Sequence, residues 1–102
     1  MKSFSEKVYE TIRKIPRGKV ATYTSVASAI RSPRAMRAVG NALNKNPYAP
    51  ETPCHRVVRS DGSVGGYASG TAKKQRLLEK EGVEIVDFKI NISRFGCDLT
   101  NF

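Results

Sequence analysis

The sequence predicts an α+β, mostly helical fold built around a helix-turn-helix, and three observations carry that prediction. At 102 residues, with no Pro/Gly/Ser-rich linker, the chain has room for one domain, covering residues 1–102. Apolar residues recur at three- and four-residue steps through the first half and again after residue 70, which is the period of amphipathic helices. Between Val83 and Ile92 the pattern changes to a rough alternation, which reads as a terminal strand.

Each element has its own signals. Ser3 followed by Glu6 forms a capping box, and Phe4, Val8, Ile12 and Ile15 share one face, so the first helix is expected over residues 4–15. Pro16-Arg17-Gly18 ends it, and Lys19-Val-Ala21 is a short extended piece. Thr22 then caps a second helix running through Val26, Ala27 and Ile30. Ser32 at a cap and Pro33 at the first helical position open a third helix, with Met36, Val39 and Leu43 as its apolar stripe beside Ala35, Ala38 and Ala42. Arg34 and Arg37 lie near its start. Two short helices joined by a tight turn fit a helix-turn-helix, although many helical hairpins with this pattern bind nothing. The chain is irregular from Asn46-Pro47 to Val57-Val58. Asp61-Gly62 marks a tight turn and Gly65-Gly66 a loop. A fourth helix follows over about residues 71–81, with Leu77 and Leu78 inward and Gly82 ending it.

Composition narrows the classes. With 39% hydrophobic and 26% charged residues the chain is neither disordered nor membrane-spanning, and its start lacks the apolar core of a signal peptide. A cytoplasmic protein is expected, or a nuclear one in a eukaryote. The net charge of +9 is segregated: Arg13, Lys14, Arg17, Lys19, Arg31, Arg34, Arg37 and Lys45 fall between Thr11 and Pro50, where no acid occurs. That asymmetry fits a polyanionic partner, and equally a solvated basic surface. Cys54 and Cys97 make no disulfide framework, and one histidine with two cysteines lacks zinc-ligand spacing, so no metal is expected. Cys97 has no assigned role.

Pro53-Cys54-His55-Arg56-Val57 places a thiol, the only imidazole and a guanidinium side by side. A free cysteine is often merely buried, yet these neighbours favour a thiolate. Adjacent residues point apart in an extended segment, so Cys54 and His55 need a bridging water or a chemistry other than that of a cysteine hydrolase.

This motif, with Gly65-Gly-Tyr67 downstream, resembles the O6-alkylguanine-DNA alkyltransferase family. The likeness extends over Gly18-Lys-Val-Ala-Thr-Tyr23, Arg37-Ala-Val-Gly40, Asn44-Lys-Asn-Pro47 and Leu77-Leu-Glu-Lys-Glu-Gly82, in the family's order and spacing. It corresponds to the catalytic, DNA-binding C-terminal domain, a winged-helix-like unit, without the N-terminal domain of many members. The resemblance implies that Cys54 accepts an alkyl group irreversibly from O6-alkylguanine flipped out of double-stranded DNA. It implies His55 as base through a water, Glu81 as the anchor of His55, Tyr23 as proton donor to the guanine ring, and Asn46 as a brace beside the site. On the DNA side it implies Arg37 as the finger that replaces the extruded nucleotide. Ala35 and Gly40 would let the helix enter the minor groove, and Ser5, Thr24, Ser32 and Ser60 would meet phosphates. Val57, Tyr67, Ala68, Ser69 and Lys74 would complete the base pocket. Ala68 departs from relatives that carry serine there, which implies altered tolerance of alkyl groups. No cofactor is implied, and a monomer is expected. Two further readings remain open: a lesion-binding relative that does no chemistry, and a plain helix-turn-helix regulator.

Overall fold

The computed structural model describes residues 2–48, 51–67 and 70–99. Five helices, one 3-10 turn and a two-stranded sheet follow in the order α1 (Phe4–Ile12), β1 (Ala21–Thr22), α2 (Tyr23–Ala29), α3 (Met36–Asn44), the 3-10 turn Cys54–Arg56, β2 (Val57–Val58), α4 (Thr71–Lys80) and α5 (Ile92–Phe95). The class is α+β and mostly helical, as expected. Among the described residues no helix is long and apolar enough to cross a membrane.

Two predicted caps form. Ser3 Oγ accepts from the Glu6 N–H at 3.2 Å, and Thr22 Oγ1 accepts from the Ser25 N–H at 3.0 Å, each satisfying an N–H that the helix leaves free. Helix α1 is shorter than the periodicity suggests. It ends at Ile12, and Ile15 reaches the core from the turn that follows. The third helix also starts later than expected. Ser32 makes no cap; its carbonyl accepts from the Ala35 N–H at 2.9 Å in a turn, after Arg31 at φ 61°. Helix α3 therefore begins at Met36, and Arg34 lies outside it. Val39, Ala42 and Leu43 are buried, whereas Met36 is 44% exposed and not part of the buried stripe. Leu77 is only half-buried, and Lys74 joins Leu78 on the inner face of α4.

The strand expected over Val83–Ile92 does not form. Isolated bridges pair Ser63 with Lys89 and Val86 with Lys89 around a turn whose Asp87 and Phe88 both have positive φ. Burial alternates only on either side of this turn, with Val83 and Ile85 inward before it and Ile90 and Ile92 inward after it, while residues 86–89 are all exposed.

The sheet divides the core. Strands β1 and β2 pair in parallel, Ala21 with Val57 and Thr22 with Val58. Successive side chains of a strand point to opposite faces. Ala21 and Val57 accordingly join the helical core of α1, α2 and α3, and Val20 and Val58 join a smaller core with Val64, Leu78, Val83, Ile90 and Phe95. Cys54 stands at the start of the 3-10 turn that delivers β2 into this boundary.

Candidate active site

The loop before Cys54 is fixed by polar contacts. Asn46 Nδ2 donates to the Thr52 carbonyl at 2.8 Å, and Asn46 Oδ1 accepts from the Tyr48 N–H at 2.9 Å. The Thr52 carbonyl also accepts from the Cys54 N–H at 2.8 Å, and Thr52 Oγ1 accepts from Arg13 Nε at 3.0 Å. Asn46 thus braces the turn that presents the thiol, and Cys54 is left buried against the helical core.

His55 is 2% exposed, and its Nε2 lies 3.1 Å from Glu81 Oε2. Burial pulls the imidazole below its ordinary pKa, outweighing the hydrogen bond and charge of Glu81 that pull the other way. Burial pushes Glu81 up, but hydrogen bonds from Arg56 and His55 outweigh it and hold the carboxyl below the usual range. An ionised carboxylate only accepts, so the Nε2 facing it carries the proton. In the neutral ring Nδ1 then keeps a lone pair, and among the described residues this buried atom has no hydrogen-bond partner.

Glu81 owes its position to the end of α4 and to Arg56. Arg56 Nε donates to Oε1 at 2.9 Å and an Nη donates to Oε2 at 2.6 Å, a two-pronged pair, while the other Nη holds the Ile15 carbonyl at 2.8 Å. Glycine at position 18 allows the preceding loop to lie against this corner. Its φ is +86°, and a Cβ there would stand 3.1 Å from the Glu81 carbonyl oxygen. The fork between Arg56 and Glu81 was not foreseen from the sequence. The only local sign was a guanidinium beside the imidazole, which gives no direction.

Lys74 occupies the other side. It is 1% exposed, and its Nζ donates to the Val57 carbonyl at 2.7 Å and the Gly66 carbonyl at 3.1 Å, 5.9 Å from the centre of the Tyr23 ring. Burial lowers its pKa to about 8, with the Cys54 charge opposing and the Arg59 charge assisting. Val57 itself is wholly buried, so it offers the site its carbonyl. Burial is the largest influence raising the Tyr23 hydroxyl, with Arg59 pulling it down and Cys54 adding to the rise. Burial, and then Cys54 as charge and hydrogen-bond partner, pushes Tyr67 up to about 12. Both phenols are therefore protonated at neutral pH and able to donate. Ala68 and Ser69 lie outside the described residues.

Tyr23 also opens onto a cavity of about 600 Å³, lined further by Met36, Arg37, Gly40, Asn41, Asn44, Arg59, Ser60 and Gly66. The Thr24 and Ser60 hydroxyls bond each other at 2.8 Å on its edge. Ser32 and Ala35 line a separate hollow with Pro33 and Arg34, and Ser5 lies half-buried in the first turn of α1; none of these three lines the cavity. Arg59, which carries no signal in the sequence, lines it too, as does Met36, expected instead in the apolar stripe of the third helix. Among the described residues no group of three or more His, Cys, Asp and Glu could hold a metal ion.

Comparison with known proteins identifies the family. Over 82 residues the chain is 44% identical to a methylated-DNA–protein-cysteine methyltransferase of Methanothermobacter thermautotrophicus, covering 80% of this chain and 46% of that protein. It is 43% identical over 79 residues to the bifunctional transcriptional activator/DNA repair enzyme Ada of Escherichia coli, covering 78% of this chain and 22% of that one. The chain thus spans half the length of these curated relatives or less. Among solved structures, S. pombe Atl1 in complex with damaged DNA containing O6-carboxymethylguanine superposes with a TM-score of 0.85 at 32% identity, over 95% of this chain and 98% of that one. Mycobacterium tuberculosis OGT in complex with DNA gives a TM-score of 0.77 at 37% identity, over 98% of this chain and 56% of that one. The family profile described as the DNA-binding domain of 6-O-methylguanine DNA methyltransferase matches residues 3–83, and the chain belongs to that family.

Proposed function

We propose that this chain carries the catalytic as well as the DNA-binding part of an O6-alkylguanine-DNA alkyltransferase, and repairs DNA by moving the alkyl group to Cys54 in a single turnover. The observation that carries the reading is the polarity of His55: Nε2–H is committed to Glu81, which leaves a basic Nδ1 in the residue next to a buried thiol. The thiol proton passes through a bridging water to Nδ1, and Glu81 stabilises the imidazolium that forms. The sulfur then forms a bond to the sp3 carbon of the alkyl group as the bond from that carbon to O6 breaks. The electron pair stays on the guanine, which takes a proton at its ring nitrogen from the Tyr23 hydroxyl. Lys74 supplies a fixed positive charge beside the phenolate so formed. A thioether is stable and its thiolate is a poor leaving group from an sp3 carbon, so each molecule acts once.

The partner in this proposal is double-stranded DNA containing O6-alkylguanine. Arg37, exposed at the start of α3 on the rim of the cavity, fills the space of the extruded nucleotide, and Thr24 and Ser60 meet phosphates from the cavity edge. A second reading, a lesion-binding protein that performs no transfer, is favoured by one observation: the near end-to-end match to S. pombe Atl1. Intact-mass measurement after mixing with duplex containing O6-methylguanine separates the two. Transfer adds one methyl, mapping to Cys54 and absent in Cys54→Ser; tight binding without a mass change selects the second reading.

A further inference from the structure

We infer that Arg59 is a phosphate clamp that holds the backbone of the DNA strand whose nucleotide enters the cavity. The inference rests on the function proposed above. Arg59 follows β2 directly and is exposed, and its side chain lies across Gly65 at the cavity rim. A Cβ built on Gly65 would stand 3.4 Å from Arg59 Cγ, 3.6 Å from its Nε and 3.7 Å from the Tyr23 hydroxyl, so the stem of Arg59 and the phenol converge on one point. Next to it in sequence is Ser60, whose hydroxyl meets that of Thr24.

The charges around this point ask for an anion. Among the described residues the cavity lining holds two guanidiniums, Arg37 and Arg59, and no carboxylate. Lys74, the third cation, already donates to two carbonyls. The Arg59 charge reaches Asp61, but Asp61 Oδ1 accepts from the Ser63 N–H at 2.9 Å, and no ion pair forms between the two side chains among the described residues. Among the described residues the Arg59 guanidinium therefore has no hydrogen-bond or ion-pair partner, and it stands at a rim that also carries two hydroxyls. Its planar fork matches the two free oxygens of a phosphodiester, and hydroxyls are common phosphate donors beside it. A guanidinium here also sits close enough to Tyr23 to act on the phenol, and the test separates the two roles.

Arg59→Ala and Arg59→Lys are compared with wild type on unmodified duplex, on duplex containing O6-methylguanine, and on free O6-benzylguanine, which has no phosphate. Melting temperatures verify that each variant folds. Arg59→Ala is expected to weaken both duplexes about tenfold and to lower the slope of log affinity against log salt by about one, while reaction with the free base falls less than about threefold. Arg59→Lys is expected to restore the slope but only part of the affinity, having charge without the fork. An unchanged slope in Arg59→Ala overturns the inference. So do equal losses on duplex and free base, which assign Arg59 to Tyr23 instead. Because the slope is read on unmodified duplex, it stands even if no alkyl group reaches Cys54, and failure of transfer in wild type counts against the proposed function alone.

Discussion

Glu81 serves two masters, and the balance between them sets what its replacement does. Its side chain is 9% exposed and its carboxylate orients His55 while neutralising Arg56, itself only 16% exposed. Glu81→Gln leaves a hydrogen-bonding group at His55 but strands a guanidinium whose remaining partner is the Ile15 carbonyl. We expect a stability loss of about 3 kcal/mol, the low end of the range for a buried pair that loses one member. Arg56→Lys keeps the charge but not the fork, and should cost less. A double-mutant cycle by denaturant unfolding checks this: additive losses would show that the fork contributes nothing. The pH dependence follows from His55 and Lys74. His55 has a folded pKa below its unfolded one, so its neutral form is favoured by folding. Stability holds above the unfolded value near 6.5 and declines as pH falls through it, with the full penalty below the folded pKa. The base is lost over the same acid range, so alkylation of Cys54 should slow there. On the alkaline side Lys74 discharges from about pH 8, and the rate should level or fall. Lys74→Gln should slow the reaction at neutral pH and remove that alkaline limb, and an unaltered rate and profile would show that the ammonium takes no part.

At the scale of elements, what the sequence made legible was whatever depends on near neighbours. Ser3 and Thr22 act as caps because a hydroxyl reaches an N–H three residues on, and Gly82, at φ +92°, ends α4 as a glycine does. Ser32-Pro33 carries the same cap signal but forms a turn, since Arg31 in the left-handed region sends the chain into α3 from a different angle. Residues 83–92 form no ladder because the Ile90 and Val64 N–H groups bond the Gly62 and Phe88 carbonyls across the loop, one contact at a time. In the site, the Cys54-His55 motif was visible locally, and the pairing of His55 with Glu81 came only through resemblance, since 26 residues separate them. The Arg56 fork and the Arg59 rim depend on how β2 crosses α4 and the Gly65 loop, which no local pattern encodes. Gly18 joins these scales. Gly18→Ala forces a Cβ into left-handed backbone 3.1 Å from the Glu81 carbonyl, and should cost about 1–3 kcal/mol. If the loop positions Glu81, Gly18→Ala also slows Cys54 alkylation in samples held well below their melting temperature. A variant that melts early yet reacts at the wild-type rate would confine Gly18 to stability.

Across the whole molecule the excess of +9 is not all available to a partner. Several cations are engaged within the fold: Lys2 pairs with Glu10, Arg56 with Glu81 and Arg94 with Glu84, while Arg13 holds Thr52 and lies over the Tyr48 ring. Arg17 and Lys19 donate to the Lys80 and Arg94 carbonyls, which fixes their side chains without cancelling their charge. Arg31, Arg34 and Lys45 are exposed around the ends of α2 and α3, and Arg37 and Arg59 line the cavity. If phosphates are met by this face, affinity for duplex DNA should fall with salt in proportion to the contacts made there, each adding about 0.9 to the slope. Three to five such contacts predict a slope of about −3 to −5, well short of what the full net charge would give. Binding titrations across a range of potassium chloride concentrations measure it directly. A slope near −8 would show that the charge acts as a diffuse cloud and that α2 and α3 have no special part. A slope near zero would mean that the basic face is solvated surface and DNA is met elsewhere. Lys45→Gln and Arg34→Gln, combined, sharpen the test: both lie outside the cavity, so they should lower the slope while transfer at saturating DNA stays within about twofold of wild type.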